Sequence, residues 1–332
     1  MSAVAVLGAG SWGTTLADLL ARKGHSVRLW AYEPEVVRAI NDSHENPVFL
    51  PGAALAPSIS ATGDAAAAAR GAEQVVTVAP SHVLRNVVQA ARPGIAERAI
   101  VVSATKGIEQ TSLALMSTVI EETLPGHPVA ALSGPSFALE VYQGQPTAVV
   151  AAAHQEETAN RVQALFSTSR FRVYSNRDVV GVELAGALKN VIAIAAGILD
   201  GLGLGNNPRA ALITRGLAEM TRLGVAMGAD PLTFAGLAGM GDLILTTTGA
   251  LSRNRALGLA LAEGQTLEQY TAAHRSVAEG ANTARAAMEL ARRKGVELPI
   301  CAQVAQILFA GKPAKQALAD LMERTLKAEH WR

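Results

Sequence analysis

The feature that most constrains this sequence lies at its start, where an apolar run leads into closely spaced glycines. Residues 3–33 read AVAVLGAGSWGTTLADLLARKGHSVRLWAYE, and three glycines fall within six positions, at Gly8, Gly10 and Gly13. The run Val4–Leu7 predicts a strand, Thr14–Lys23 predicts a helix, and Gly24 is suited to end that helix. A glycine-rich turn between a strand and a helix is typical of a dinucleotide-binding unit.

Each glycine of this turn has a separate expected role. Gly8 permits the tight turn, Gly10 lets the backbone approach a pyrophosphate, and Gly13 allows the helix to pack closely on the sheet. The free N–H groups near Ser11 and Trp12 then point at the phosphates, and the helix dipole assists them. We therefore expect a bound dinucleotide here.

The second predicted strand, Val27–Ala31, ends at an aromatic and an acidic residue. Tyr32 and Glu33 follow it, and Glu33 lies twenty residues past Gly13, where a carboxylate can bind a ribose 2′-hydroxyl. Such a carboxylate repels a 2′-phosphate, so the sequence favours NAD and keeps NADP as the alternative. In the other arrangement Glu33 faces solvent and Tyr32 lies against the adenine.

Composition excludes several classes of protein. A chain of 332 residues with 49% hydrophobic and 17% charged residues is typical of a globular protein with two domains. A net charge of +1 gives no electrostatic basis for binding nucleic acid or an anionic membrane surface. The single cysteine, Cys301, and the absence of a leader pattern at the N-terminus predict a cytoplasmic location.

The chain changes character near residue 180. Before that point strand-like runs alternate with helical segments, which predicts a doubly wound parallel sheet covered by helices on both faces. These runs are Val4–Leu7, Val27–Ala31, Val75–Ala79, Ile100–Ser103, Val129–Leu132, Ala148–Ala152 and Phe171–Tyr174. After it strand signals almost vanish. The prediction is an α/β, Rossmann-like dinucleotide-binding domain over residues 1–180, followed by an all-helical substrate and catalytic domain over residues 181–332.

The most apolar stretch, Val179–Leu199, is interrupted by Glu183 and by Lys189-Asn190, so it predicts a buried core helix rather than a membrane span. On such a helix every neighbour of Lys189 on its own face is apolar or glycine. The lysine must either extend to solvent or sit desolvated with a lowered pKa. A buried amine of the second kind can exchange a proton with a carbonyl or alcohol.

Other candidates follow later strands and turns. Lys106 comes just after the strand ending at Ser103, and Gly134 and Ser136 follow the strand ending at Leu132, so all three should face the glycine turn. Taken singly, each also fits an ordinary loop.

Further along, Asp242 follows a glycine-rich turn, where it could cap a helix. Ser252, Arg253 and Asn254 either form a solvated face or clamp a phosphate, for which the arginine fork is suited. The seven histidines show no metal-ligand spacing, and we expect no metal.

The ordered motifs resemble one family. They are GAGSWGTTLA, NPVFLPG (46–52), ATKGIE, LSGPSFALE, ELAGALKNVIAIAAG, GLAGMGDLILT, SRNRALG and VAEGANTA. From residue 3 to about residue 310 the chain is similar to the NAD(P)-dependent glycerol-3-phosphate dehydrogenases of bacterial type. The resemblance implies a cytosolic homodimer that interconverts dihydroxyacetone phosphate and sn-glycerol 3-phosphate and supplies glycerophospholipid synthesis. Many bacterial relatives carry a basic residue near the end of the second strand, where this chain has Tyr32-Glu33.

The resemblance also implies residue roles. Lys189 would exchange the proton at the substrate C2 oxygen, and Lys106 would contact both the substrate and the nicotinamide end of the cofactor. Further substrate contacts are implied for Gly134, Ser136, Asn190, Asp242, Ser252, Arg253 and Asn254. Further cofactor contacts are implied for Ser11, Trp12, Ala138, Arg253, Val277 and Glu279.

Elementary chemistry agrees with this assignment. Hydride transfer to C2 develops charge on the carbonyl oxygen, which two lysine ammonium groups can meet. Their mutual repulsion lowers at least one pKa, and Asp242 can offset part of it while orienting a lysine.

Two alternatives remain at this point. β-Hydroxyacid dehydrogenases and ketopantoate reductases share the domain plan but bind a substrate carboxylate, and a non-catalytic nicotinamide-binding module would leave the paired lysines unexplained.

Overall fold

The computed structural model describes residues 2–274, 278–326, 328 and 329. The strands are β1 (Ala3–Leu7), β2 (Ser26–Trp30), β3 (Glu45–Asn46), β4 (Leu50–Ala54), β5 (Ile59–Thr62), β6 (Gln74–Thr77), β7 (Ile100–Ser103), β8 (Val129–Ser133), β9 (Thr147–Ala152) and β10 (Phe171–Asn176). The helices of the first half are α1 (Ser11–Arg22), α2 (Pro34–Ser43), α3 (Ala65–Ala69), α4 (Leu84–Ala91), α5 (Met116–Thr123), α6 (Ala138–Tyr142) and α7 (Glu156–Phe166). A short 3₁₀ turn, Arg92–Gly94, follows α4.

Every regular element that is described after residue 178 is helical. These helices are α8 (Val179–Gly201), α9 (Asn206–Ala226), α10 (Pro231–Ala235), α11 (Asp242–Thr248), α12 (Arg253–Ala262), α13 (Leu267–Ala273), α14 (Glu279–Lys294), α15 (Pro299–Ala310) and α16 (Ala314–Met322). A π-helical turn, Leu237–Gly241, leads directly into α11. The predicted fold class, a Rossmann-like sheet followed by an all-helical region, is confirmed.

The main sheet is doubly wound around β1. Its order is β10-β9-β8-β7-β6-β1-β2-β5, so the chain builds outward from β1 to β2 and β5, then returns to β6 on the other side. The direction of winding therefore reverses between β1 and β6. In sheets of this kind ligands bind at the carboxyl ends of the strands beside such a reversal.

The sheet is mixed, and the expectation of a wholly parallel sheet is wrong for its last two strands. β9 pairs with β8 antiparallel, and β10 pairs with β9 parallel. The connection from β8 to β9 contains the five-residue helix α6 and does not cross back along the sheet. Strand β9 therefore starts beside the carboxyl end of β8 and runs antiparallel to it. Strand β10 runs in the same direction as β9, so it ends beside the amino ends of the other strands. Helix α8 starts there and runs back toward the carboxyl ends of those strands.

Three strands of the structure were not predicted from the sequence. β3 and β4 form a small antiparallel pair outside the main sheet, and β5 is a four-residue edge strand. β4 contains Pro51 and Gly52, and β5 is the polar segment ISAT. Neither segment offers the continuous apolar run that marks a buried parallel strand.

Helix α8 is the centre of the helical half. All residues from Gly181 to Leu199 are buried, as expected for a core helix, and α9, α11, α12 and α14 pack around it. By length and composition this helix could cross a membrane, but 89% of its most apolar 18-residue segment is buried inside the protein. A small apolar cluster that includes Ala131, Val150, Val182 and Ala238 joins α8 to strands β8 and β9 of the sheet. The division near residue 180 falls between β10, which ends at Asn176, and α8, and it stays a prediction.

Candidate active site

The glycine turn has the close contacts that its sequence predicted. Gly8 has φ +125°, and a Cβ there would lie 2.9 Å from the backbone nitrogen of Ala79, in the loop after β6. A Cβ on Gly13 would lie 1.8 Å from the carbonyl oxygen of Gly8, whereas a Cβ on Gly10 would meet nothing within 4 Å. Two glycines thus pack against backbone, and the third leaves an open concavity at the start of α1. This shape fits a dinucleotide pyrophosphate at a helix N-terminus.

Lys189 is held inside the protein by two side chains of α11. Its Nζ donates to Oδ1 of Asp242 at 2.7 Å and to the hydroxyl of Thr246 at 2.7 Å. The side chain is only 8% exposed and that of Asp242 only 1% exposed. Of the two outcomes expected for this lysine, the structure therefore has the desolvated one.

Lys106 reaches the same carboxylate from the sheet. Its Nζ donates to Oδ2 of Asp242 at 2.8 Å and to the carbonyl oxygen of Gly134 at 2.9 Å. Each lysine thus makes two of the three hydrogen bonds that an ammonium group can donate. The third N–H of each remains for a further acceptor, and Asp242 fixes the relative positions of the two nitrogens.

The pKa of Lys189 is lowered to about 8. Burial is the largest cause, the carboxylate of Asp242 opposes it, and the nearby charge of Lys106 adds to it. A lysine with this pKa can both give and accept a proton near neutral pH.

Small residues let α8 enter the crevice. A Cβ on Gly186, one turn before Lys189, would lie 2.6 Å from the hydroxyl of Ser133 and 3.6 Å from Cγ of Lys106. The helix therefore lies directly against the end of β8. Ser136, in the loop that follows, donates to the carbonyl oxygen of Gly134, which is the same atom that Lys106 contacts.

The start of α12 forms a second group of polar residues. Ser252 caps the helix by accepting from the N–H of Arg255, and Asn254 is buried. The Asn254 side chain donates to Asn190 at 2.9 Å and accepts from the N–H of Gly280 at 2.9 Å. Asn254 thus connects α12, α8 and α14. Arg253 is exposed, and within the described part of the chain its guanidinium makes no hydrogen bond or ion pair.

Glu279 begins α14 and connects it to the loop after β6. Its carboxylate accepts from the N–H of Ser81 at 3.1 Å and from the Ser81 hydroxyl at 2.6 Å. A Cβ on Gly107 would lie 2.5 Å from Ser81 and 3.2 Å from Glu279. Glu279 therefore borders the residue that follows Lys106, and burial raises its pKa. Val277, also expected at the cofactor, lies outside the described residues.

The remaining expected cofactor residues surround the glycine turn. Ser11 donates to the carbonyl oxygen of Phe49 at 2.5 Å, and Trp12 packs against Phe171 with ring centroids 6.4 Å apart. The carbonyl oxygen of Ala138 accepts from Thr15 on α1 at 3.2 Å. At the end of β2, Tyr32 is 80% exposed, and Glu33 is half-buried at the N-cap of α2.

The sequence reading missed two side chains of this site. Thr246 lies four residues after Asp242 on one helix, so helical spacing alone places both on the same face. Ser81 follows β6, at the same end of the parallel strands as Lys106. Its neighbours in the sequence do not distinguish it from an ordinary loop serine. Among the described residues no group of three or more histidine, cysteine, aspartate or glutamate side chains is arranged to hold a metal ion.

Comparison with known proteins covers both halves of the chain. Residues 3–159 match the profile of the NAD-dependent glycerol-3-phosphate dehydrogenase N-terminus, and residues 178–319 match that of the C-terminus. A protein from Geobacter sp. (strain M21), named glycerol-3-phosphate dehydrogenase with NAD(P)+, is 59% identical over 98% of each chain.

Solved structures also superpose on nearly the whole chain. The crystal structure of glycerol-3-phosphate dehydrogenase from Coxiella burnetii superposes with a TM-score of 0.94 at 41% identity, covering 97% of this chain and 99% of that one. A ketopantoate reductase from Ralstonia eutropha JMP134 reaches a TM-score of 0.61 at 19% identity, covering 97% and 100% of the two chains. The second likeness concerns the fold alone.

Proposed function

The chain belongs to the family of NAD-dependent glycerol-3-phosphate dehydrogenases, and on that premise we propose that Lys189, Lys106 and Asp242 form its catalytic centre. It is an NAD(P)-dependent oxidoreductase that interconverts dihydroxyacetone phosphate and sn-glycerol 3-phosphate. The observation that carries the proposal is the buried Asp242 carboxylate with one lysine on each oxygen. This arrangement gives two ammonium groups a fixed separation in one crevice.

A nicotinamide cofactor, when bound, would supply or accept the hydride at the substrate carbon. The residues of this chain manage the accompanying charge and proton. Lys189 donates its proton to the C2 oxygen in the reductive direction and takes it back in the oxidative direction, which a pKa of about 8 permits. Lys106 directs its remaining N–H at the same oxygen and stabilises the developing negative charge.

Asp242 has a supporting role in this proposal. Two ammonium groups and one carboxylate leave a net positive charge in the crevice, which complements an alkoxide. The carboxylate also prevents the two lysines from repelling each other out of position. Thr246 fixes the rotation of the Lys189 ammonium group by accepting a hydrogen bond from it.

The substrate phosphate binds at the start of α12. The guanidinium of Arg253 makes no hydrogen bond or ion pair there among the described residues, and the N-terminus of a helix attracts anions. Because Asn254 is already bonded to Asn190 and Gly280, its main role is to hold α12 against α8, with its second amide hydrogen free for the phosphate. Ser252, Asn190, Gly134 and Ser136 complete the proposed substrate contacts.

The cofactor would be held by residues along the glycine turn, from Glu33 to Lys106. Gly8, Gly10, Ser11, Trp12 and Gly13 are its proposed pyrophosphate contacts, with Ala138, Arg253 and Glu279 toward the nicotinamide end. Glu33 accepts no capping hydrogen bond in α2, so its carboxylate is available for a ribose hydroxyl. This favours NAD over NADP, with Tyr32 beside the adenine.

The resemblance to the family supports three further proposals. We expect a cytoplasmic enzyme, a homodimer in solution, and a product that supplies glycerophospholipid synthesis. Light scattering coupled to gel filtration tests the second of these, since a monomer mass would overturn it.

Steady-state oxidation of NADH and NADPH with dihydroxyacetone phosphate tests the proposed site directly. The same assay with ketopantoate is the matched comparison, because that substrate carries a carboxylate in place of the phosphate. We expect turnover with the phosphorylated ketone alone. Turnover with ketopantoate instead would overturn the assignment of Arg253 to a phosphate.

A further inference from the structure

A segment outside the main sheet holds the glycine turn in shape. Residues 46–49, which we call the loop brace, run from the last residue of β3 to the start of β4 and lie against the start of α1. Val48 and Phe49 of the brace pack against an apolar core of the sheet, and Leu50, which follows them, is buried in that core. The brace is therefore a fixed support for whatever it contacts.

The contact is made mainly by Asn46, which is completely buried. Its Nδ2 donates to the carbonyl oxygen of Ala9 at 2.8 Å and to the hydroxyl of Thr14 at 2.8 Å. Its Oδ1 accepts from the N–H of Phe49 at 3.1 Å. Both hydrogens and the oxygen of this amide are thus used, and two of the three bonds go to the glycine turn and its helix.

Two more bonds complete the connection. The hydroxyl of Thr14 donates to the carbonyl oxygen of Ala9 at 3.1 Å, and Ser11 donates to the carbonyl oxygen of Phe49 at 2.5 Å. The Ala9 carbonyl therefore accepts two hydrogen bonds on one side of the turn. In a trans peptide the next N–H, that of Gly10, points the opposite way, so fixing this carbonyl also fixes the donor beside the open concavity.

We propose that Asn46 is a positioning residue for dinucleotide binding, which acts by setting the peptide plane between Ala9 and Gly10. The proposal rests on the proposed binding of the cofactor along the glycine turn. Glycines make the turn possible, but they also leave it flexible, and the brace removes that freedom before the cofactor arrives. Asn46 touches neither substrate nor reacting atoms, so its effect should appear in cofactor affinity and not in chemistry.

The test compares two asparagines near each other in the chain. Asn46→Leu removes the amide while nearly preserving the size of the side chain, and it adds no charge near the phosphates. Asn41→Leu is the control, because the side chain of Asn41 bonds to the backbone of Ala61 on β5, away from the turn. The dissociation constant of NADH is measured by its fluorescence, together with kcat and KM for dihydroxyacetone phosphate and the melting temperature.

We expect Asn46→Leu to raise the NADH dissociation constant about tenfold, since it leaves the Ala9 carbonyl short of a donor. At saturating NADH, kcat and the KM for the ketone should stay within about twofold of wild type, and Asn41→Leu should change neither binding nor turnover. A lowered melting temperature with an unchanged NADH dissociation constant would overturn the proposal. Wild-type enzyme that binds no NADH would overturn the proposed function as well.

A second pair of variants covers the case in which Asn46→Leu does not fold. Thr14→Val removes the hydroxyl that joins Asn46 to Ala9 without changing the shape of the side chain, and Thr14→Ser keeps it. Weaker NADH binding in the valine variant, with recovery in the serine variant, supports the proposal. Equal binding in both variants contradicts it.

Discussion

Lys189 donates a hydrogen bond to Oδ1 of Asp242 at 2.7 Å, and this contact joins the central helix of the helical half to a short helix behind a π-helical turn. The other oxygen of the same carboxylate accepts from Lys106, which lies in the loop after β7. The site is therefore assembled only when both halves of the chain are packed together. The two lysines pair with the Asp242 carboxylate, so its charge can be almost fully buried.

Asp242→Asn should separate the charge of this residue from its shape. We expect kcat to fall about 10²-fold, because the two lysines lose the anion that holds them together. In the wild type, reduction should slow as the pH rises through about 8, where Lys189 loses its proton. The carboxylate raises that pKa, so the decline should move to lower pH in the variant.

The measurement is kcat against pH at saturating substrates. Asp64→Asn is the control, because Asp64 caps α3 by accepting from the N–H of Ala66 and lies outside the crevice. Superimposable pH profiles of wild type and Asp242→Asn would show that the carboxylate does not tune Lys189.

Arg253→Ala tests the phosphate contact at the start of α12. For dihydroxyacetone phosphate we expect kcat/KM to fall about 10–100-fold, since a charge-assisted hydrogen bond is lost. For dihydroxyacetone, which lacks the phosphate, kcat/KM should stay close to its wild-type value. Arg255→Ala is the control on the same helix, because Arg255 binds Asp200 at 2.6 Å. An equal loss with both substrates would rule out a phosphate contact for Arg253.

Glu33→Gln tests the cofactor preference. Removing this negative charge should raise kcat/KM for NADPH about tenfold, because the repulsion of a 2′-phosphate disappears. The value for NADH should fall slightly, since a neutral amide is a weaker acceptor for the ribose hydroxyl. Asp42→Asn, an exposed acid on the same helix, is the control. An unchanged ratio of NADH to NADPH activity would place Glu33 away from the ribose.

Glu183→Gln concerns stability instead of catalysis. Glu183 is buried on α8 and accepts from the N–H of Ser117 at 2.9 Å, and burial raises its pKa from 4.5 to about 7. The folded state thus keeps this proton to higher pH than the unfolded state does. The contribution of Glu183 to stability is present below pH 4.5 and is lost as the pH rises through about 7.

Glutamine stays neutral, so the variant should gain on the wild type between pH 5 and 8 by roughly 1–3 kcal/mol of unfolding free energy. Urea unfolding at these two pH values measures the difference. Glu97→Gln, at an exposed acid, should leave the pH dependence unchanged. A variant with the same pH dependence as the wild type would refute the assignment.

The sequence predicted the parts of this protein that depend on local pattern. The strand, glycine turn and helix at residues 3–23 are such a part, and so is the burial of α8, because continuous apolar runs and glycine spacing carry that information. The desolvation of Lys189 followed as one of two outcomes from its apolar neighbours on the helix.

Other features depend on contacts between distant segments. The reversal of β9 depends on where the short connection after Ser133 turns, and the bonds of Asn46 depend on a hairpin that packs against α1. Asn254 was expected at a phosphate, but its link to Asn190 across two helices has no sequence signal. Side-chain partners across such distances are set by packing.

The proposed mechanism depends on proton transfer between Lys189 and the substrate C2 oxygen. Its most direct test is kcat of Lys189→Met for reduction of dihydroxyacetone phosphate at saturating NADH, with the NADH dissociation constant measured on the same sample. We predict a loss of about 10²–10⁴-fold in kcat with nearly unchanged NADH binding, since a general acid is removed and the glycine turn is untouched. A variant that binds NADH normally and retains wild-type kcat would show that Lys189 does not transfer this proton.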